Sequence, residues 1–305
     1  MGEYLTRRSL HSLVSLLGLI VLVFFLARLT GDPTNLYLPL DASLEARAEF
    51  AERHGFTDPL LVQFGRFLGD LARFDFGQSI RKARPALDVV LEAFPTTLKL
   101  AGLTMVAALG LAVVVGALAA YRPGGAFDRT ASVISLAGAS APDFWVAITG
   151  ILLFAVTLGW LPTSGTGTPW HWVMPLAVLL IRPFGLLVQV VRGAMIGALS
   201  SPYVKTARAK GVRERTIIFV HALRNAMLPV ITVAGDQAAG ILNGAVIVET
   251  VFGFPGVGKL MIDSIIQRDF AIIQASIAVT ALAIFIMNIL IDVAYAVLDP
   301  RIRHN

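Results

Sequence analysis

Long apolar runs separated by short polar stretches set the pattern of this chain. A run of about 20 apolar residues crosses about 30 Å of hydrocarbon as a helix. Six stretches qualify: Leu10–Leu29, Thr97–Tyr121, Ala131–Trp160, Trp170–Val191, Ala226–Val248 and Ala271–Leu298. The pattern predicts an all-α, polytopic membrane protein with six transmembrane helices. The first run follows Arg7 and Arg8, is too long for the apolar core of a signal peptide, and has no A-x-A site after it. It is expected to remain as a first span.

The polar stretches divide the chain into a tail with the first span (residues 1–30), an outer segment (31–95) and a membrane core (96–305). In the outer segment, Asp32, Asp41, Glu45, Glu49, Glu52, Asp58, Asp70, Asp75, Asp88 and Glu92 outnumber Lys and Arg. Two helices are predicted there, one from Asp41 or Ser43 to Gly55 and one after Asp58-Pro59. The second carries Leu60, Phe64, Phe67, Leu68 and Leu71 as one apolar stripe. Such a stripe needs a partner surface: the chain's own membrane domain, the bilayer interface or a docking protein.

Composition agrees. The 305 residues are 56% hydrophobic and 15% charged, with a mean hydropathy of +0.75, which excludes an ordinary soluble domain. A net charge of +5 would raise nucleic acid as a partner. Here, though, the cations sit between apolar runs, so membrane topology accounts for them and no nucleic acid is expected. Arg122, Arg129, the cluster Lys205, Arg208, Lys210, Arg213, Arg215 and Arg224, and Arg301 and Arg303 all share one side with Arg7 and Arg8 if the spans alternate. The positive-inside rule makes that side the cytoplasm, with both termini there. The uncharged loop Leu161–Pro169, flanked by Trp160, Trp170 and Trp172, fits an outer aromatic belt. The chain has no cysteine, which excludes disulfides, thiolate catalysis and Cys-ligated metals.

Motifs for chemistry are sparse. Gly253-Phe254-Pro255-Gly256-Val257-Gly258-Lys259 fits part of a phosphate-binding loop, but Leu260 stands where Mg²⁺ coordination needs Ser or Thr, no buried strand precedes it, and it falls on the outer side. A tight turn before an amphipathic helix is expected instead. There is no H-E-x-x-H or G-x-S-x-G pattern, and the five histidines are scattered. No catalytic residue, metal or cofactor is therefore assigned to the chain.

Polar residues inside the apolar runs are more telling, because a charge at the centre of a membrane helix costs roughly 2.5–3.5 kcal/mol. Asp143, Asp236, Gln237 and Asn243 are the candidates for lining a translocation path, or else they are hydrogen-bond glue between helices. Arg182 and Asp292 are read as lying near span ends, where they can snorkel. An ion-coupled transporter that protonates Asp236, Asp292 or Asp143 is the alternative reading. Gly110, Gly116, Gly138, Ala139 and Ser140 permit close helix packing.

The basic loop at 200–225 is the remaining feature. Ser201-Pro202 suits a helix start, Tyr203–Lys210 propagates it, and Gly211 is placed to stop it in a left-handed conformation. A second helix is expected from about Arg213 through His221, Leu223 and Asn225 to Pro229. A short helix joined rigidly to two spans is a lever that a partner can move; the plain alternative is a basic loop that only sets topology.

Tyr203-Val204-Lys205-Thr206-Ala207-Arg208-Ala209-Lys210-Gly211, followed by His221-Ala222-Leu223-Arg224-Asn225 and Leu228-Pro229, resembles the "EAA loop" of permeases, in the version of the dipeptide/oligopeptide/nickel ABC importer family. The resemblance extends to Gly31-Asp32-Pro33, Asp58-Pro59-Leu60 with Gln63-Phe64, Glu249-Thr250-Val251-Phe252-Gly253-Phe254-Pro255-Gly256, and Leu298-Asp299-Pro300-Arg301. Lys205 and Thr206 depart from the general pattern where glutamate and alanine would stand, as does Arg224 at a usual proline. The resemblance implies a type I importer permease of the bacterial inner membrane. It implies a second homologous permease as heterodimer partner, two cytosolic ABC ATPases that bind ATP and Mg²⁺, and an extracytoplasmic solute-binding protein. Tyr203–Gly211 with His221 would be the ATPase-docking coupling helix. Dipeptides, longer peptides, nickel chelates and other small solutes all stay open as cargo.

Overall fold

The computed structural model describes residues 14, 17–18, 20–26, 34, 38, 42–53, 55–79 and 81–298. Most of the expected first span Leu10–Leu29, the Gly31-Asp32-Pro33 and Asp299-Pro300-Arg301 motifs, both termini and the side chain of Asp292 lie outside them. The chain folds as two units, residues 1–95 with 255–285, and residues 96–254 with 286–305.

In the first unit, α1 (Leu44–Arg53) starts where Ser43 Oγ accepts the Ala46 N–H at 3.1 Å, an N-cap that satisfies one orphan donor of the first turn. Gly55, at φ +65°, follows its end. The stripe of α2 (Leu60–Leu71) finds its partner in the chain's own helical residues 20–26: Phe24 lies 5.4 Å from Phe64 and 4.9 Å from Phe67 between ring centroids. A separate core gathers Phe76, Val89 and Val90 with Val257 of α9 (Val257–Gln267) and Ile272 and Ala275 of α10 (Phe270–Leu298). Buried Asp269 precedes α10, accepting the Ile272 N–H at 3.4 Å and the Ser79 hydroxyl at 2.5 Å. One carboxylate thus caps a helix and anchors the loop that leads into α3 (Ala86–Tyr121).

In the second unit, the expected span Ala131–Trp160 is two helices, α4 (Ala126–Ser140) and α5 (Asp143–Thr157), bent by 102°. Pro142 is the reason. It has no N–H to give and forces the residue before it out of the helical region, and Ala141 takes φ −75° and ψ 133°. The last turns of α5, Ile151–Thr157, are π-helical. The next two spans run beyond their apolar stretches, as α6 (Trp170–Leu199) and α8 (Glu214–Phe252), with the short α7 (Pro202–Ala209) between them. Ala108 and Ala112 of α3, Leu187 and Val188 of α6 and Ala234 of α8 pack together as one core. Small residues set this spacing: a methyl added at Gly116 would lie 2.7 Å from Val191 Cβ.

Four described helices, α3, α6, α8 and α10, are long and apolar enough to span a bilayer, and α4 with α5 makes a fifth as one broken span. The glycine-rich Gly253–Lys259 run is a turn. Gly253 at φ +66° ends α8, and the Phe254 N–H returns to Glu249 O at 2.8 Å. Gly256 then starts α9, within which Lys259 pairs with Asp263 at 2.5 Å.

Candidate functional site

The loop between α6 and α8 is built with little slack. Ser201 is extended (φ −73°, ψ 155°) and Pro202 occupies the first helical position of α7, where a missing N–H costs nothing. The Ser201 hydroxyl does not cap α7; it donates back to Ala198 O at 2.5 Å, binding the loop to the end of α6. The stop is a full Schellman arrangement: Gly211, at φ +77°, donates to Arg208 O at 2.9 Å and Val212 to Ala207 O at 3.1 Å.

One side chain nails α7 down. Val204 is completely buried among Ala117 and Ala120 of α3, Met195 and Leu199 of α6, and Ile217, Ile218 and Ala222 of α8. Burying a valine stabilises by about 1.5–3 kcal/mol, so the buried residue, rather than the eight-residue helix, holds the position. Arg208 Nε reaches Glu214 Oε1 at 2.8 Å across the turn, and that carboxylate raises the guanidinium's hold on its proton. Tyr203, Lys205, Thr206, Arg208, Ala209, Lys210 and Gly211 are exposed, while Ala207 is half-buried. His221 is also exposed, in a π-helical segment, Ile217–Ala222, that the sequence pattern had not suggested.

Along α8, Thr232, Asp236, Gly240, Asn243 and Thr250 are all exposed. Their spacing of three, four or seven residues puts them on one face. The opposite face buries Val230, Ala234, Ile241, Leu242, Ala245 and Val248. Gln237 is half-buried, with Nε2 3.5 Å from Asp236 Oδ2. Asp143, the first residue of α5 after the Pro142 break, comes to α8 further along: a methyl added at Gly244 would lie 3.6 Å from its Oδ2. Asp143 therefore meets α8 at Gly244, while Asp236, eight residues earlier, stands about 12 Å away along the helix.

Residues 112–304 match the family described as "Binding-protein-dependent transport system inner membrane component". The chain belongs to that family. Over its full length it is 36% identical to the whole of the oligopeptide transport system permease protein AppB of Bacillus subtilis. It is 35% identical to the di/tripeptide transport system permease protein DppB of Pseudomonas aeruginosa, covering all of this chain and 99% of that one. In solved structures its fold is similar to a chain of the MetNI methionine ABC transporter in an inward-facing conformation, with a TM-score of 0.58, 16% identity, and coverage of 69% of this chain and 96% of that one.

Family membership makes the protein a membrane-spanning permease subunit of an ABC importer, and leaves the ion-coupled alternative without support. Asp236, which that reading would have buried, stands on the exposed face of α8. Among the described residues no three His, Asp or Glu side chains gather as a metal site.

The sequence reading missed three features of this permease. Arg192 on α6 binds Asp128 in the first turn of α4. Glu249 is fully buried near the end of α8 and accepts the Thr97 hydroxyl at 2.6 Å. Arg182 does not stand at a span end, because α6 continues eight residues past Val191; twelve residues of the helix precede Arg182 (170–181) and seventeen follow it (183–199). A charge bounded by apolar sequence was the available signal for Arg192, Glu249 and Arg182, while nothing local marked Asp128 as the partner of Arg192.

Proposed function

We propose that this permease forms half of a peptide translocation path, with a second, homologous permease forming the other half. Two cytosolic ATPases, which bind ATP and Mg²⁺, dock on Tyr203–Gly211 and His221, and an extracytoplasmic binding protein delivers the cargo. The loop and both termini are cytoplasmic, and the path runs by Asp236, Gln237, Asn243 and Asp143. The division into a first-span segment (1–30), an outer segment (31–95) and a membrane core (96–305) belongs to this reading.

The observation that carries the proposal is the seating of α7: one fully buried valine, with half-buried Ala207 beside it, and a left-handed glycine stop hold it against three long helices while the rest of its surface is open. A partner gripping that surface moves α3, α6 and α8, a rigid-body change between two states. The names of the full-length relatives support peptides as the cargo. The polar face of α8 supports a wet path, because lipid would penalise Asp236.

The test is mass spectrometry of the complex purified from native membranes in mild detergent, followed by uptake in liposomes. Two ATPase chains, a second permease and ATP-dependent peptide uptake are expected. The chain alone, moving solute without ATP, overturns the reading.

A further inference from the structure

Arg182 has no evident role in the architecture. At 1.5 Å per residue it stands about 18 Å from one end of α6 and about 26 Å from the other, deep within a bilayer whose hydrocarbon is about 30 Å thick. No snorkelling side chain crosses that distance. Its side chain is exposed, and none of the ion pairs among the described residues includes it. A guanidinium held there in contact with lipid is penalised, so this face of α6 meets water, cargo or protein.

Its surroundings favour the path. Leu179, three residues earlier and on an adjoining face, approaches Gly244 of α8: a methyl on that glycine would lie 3.3 Å from Leu179 Cδ1 and 3.6 Å from Asp143 Oδ2. Arg182 follows Leu179 by less than one helical turn, so it lies about 4.5 Å along α6 from the point where Leu179 and Asp143 converge on Gly244. Pro183 follows directly and has no N–H, so α6 itself gives the Leu179 carbonyl no donor at that turn. A cation, a carboxylate and a backbone carbonyl thus occur at one level, where the broken span α4–α5 meets α6 and α8.

We propose that Arg182 is a specificity-determining residue of the path, its guanidinium taking the C-terminal carboxylate of the passing peptide. The inference rests on the peptide-import reading above. The guanidinium presents a planar fork that matches a carboxylate in bidentate fashion. That carboxylate is the group shared by all unmodified peptides whatever their side chains, so reading it selects peptides without selecting a sequence.

The test uses the assembled importer in proteoliposomes, with its binding protein loaded to equal occupancy with trialanine or trialanine amide. Equal loading removes the binding protein's own preference, and the readout is the ratio of acid to amide uptake per loaded binding protein. Wild type is expected to favour the acid by about tenfold. Arg182→Gln should bring the ratio close to one, and Arg182→Lys should keep part of it, as a point charge without the fork. A wild type that moves acid and amide equally overturns the proposal without any variant, as does an R182Q ratio equal to that of wild type. Separation of the two permeases in R182Q on gel filtration also overturns it and makes Arg182 an interface residue. If wild type moves neither peptide while another solute is taken up with ATP, the peptide reading falls and the proposal with it.

Discussion

Arg192 holds Asp128 with both sides of its guanidinium: Nε bonds to Oδ1, and Nη2 lies 2.8 Å from Oδ2. Asp128 is 3% exposed and also accepts the Gly124 N–H at 2.8 Å. The carboxylate thus fastens the α3–α4 turn and the first turn of α4 to α6, about two turns before the loop that carries α7. Arg192, the survivor when Asp128 is removed, is 28% exposed, so the loss falls below the full penalty of an unpaired buried charge. Asp128→Ala is expected to cost about 1–3 kcal/mol and to lower the unfolding temperature of the detergent-solubilised complex. Asp128→Asn should cost less, since its amide oxygen still accepts from Gly124. Swapping the two residues should recover only part of the loss. Unfolding of Asp128→Ala at the wild-type temperature would remove this pair from the list of structural ties.

A second prediction separates seating from surface on α7. Val204→Asp places a carboxylate in a fully buried apolar site, where an unpaired charge is not tolerated. The short helix should detach, and both ATPase co-purification and ATP-driven uptake should be lost. Lys205→Ala, one residue on and exposed, should leave stability within about 0.5 kcal/mol. Equal losses of stability in the two variants count against the single-anchor account.

Gly211 gives a third. At φ +77° any side chain with a Cβ is strained by roughly 1–2 kcal/mol. Gly211→Ala should loosen the stop of α7, and Gly211→Asn should be milder, since asparagine tolerates the left-handed region. Hydrogen exchange over residues 202–212 is the measurement: protection should fall in the order Gly, Asn, Ala. Unchanged protection in Gly211→Ala means the stop is not held by backbone conformation.

These elements differ in how far they could be read in advance. The start and stop of α7 were legible because Pro202 and Gly211 act through their own backbones, independently of what packs around them. The aromatic stripe of α2 was legible as a face needing a partner, but Phe24 as that partner required the fold. Pro142-Asp143 visibly interrupts the apolar run Ala131–Trp160, but the 102° bend there was hidden, because the run is apolar on both sides of the lost N–H. The true length of α6 was hidden for a similar reason. Gly193 and Gly197 dilute the apolar signal past Val191, although the helix continues to Leu199, and the misplaced end made Arg182 look peripheral. Asp128–Arg192 joins residues 64 apart, and no local pattern reports such a pair.

Close packing of α4 on α6 leads to a fourth prediction. A methyl at Gly185 would lie 2.2 Å from Ser135 O and 3.1 Å from Ala139 Cβ, and the same seam holds the Gln189 Nε2 donor 2.6 Å from Ser135 Oγ. Gly185→Ala cannot be absorbed by rotating a side chain, because the obstacle is backbone. Overpacking of this kind costs about 1–3 kcal/mol. Gly102→Ala on α3, with nothing within 4 Å, should be neutral or slightly stabilising by helix propensity. Thermal unfolding of the two variants side by side is the measurement: an equal unfolding temperature for Gly185→Ala and Gly102→Ala would mean that the α4–α6 seam has room for a methyl.

The last prediction distinguishes path from packing on α8. Asp236 is exposed and Ile241 is 4% exposed, on opposite faces of one helix. Asp236→Leu removes a charge whose place in a membrane helix costs roughly 2.5–3.5 kcal/mol, so stability should hold or rise. Uptake should nevertheless fall, because the wet face loses its carboxylate. Ile241→Asn should do the reverse in kind: it buries an amide without a partner, costs about 1–3 kcal/mol and lowers the unfolding temperature. Uptake then falls only in proportion to the folded complex that remains. If Asp236→Leu destabilises as much as Ile241→Asn, Asp236 serves as a structural contact with a neighbouring helix and the path runs along another face.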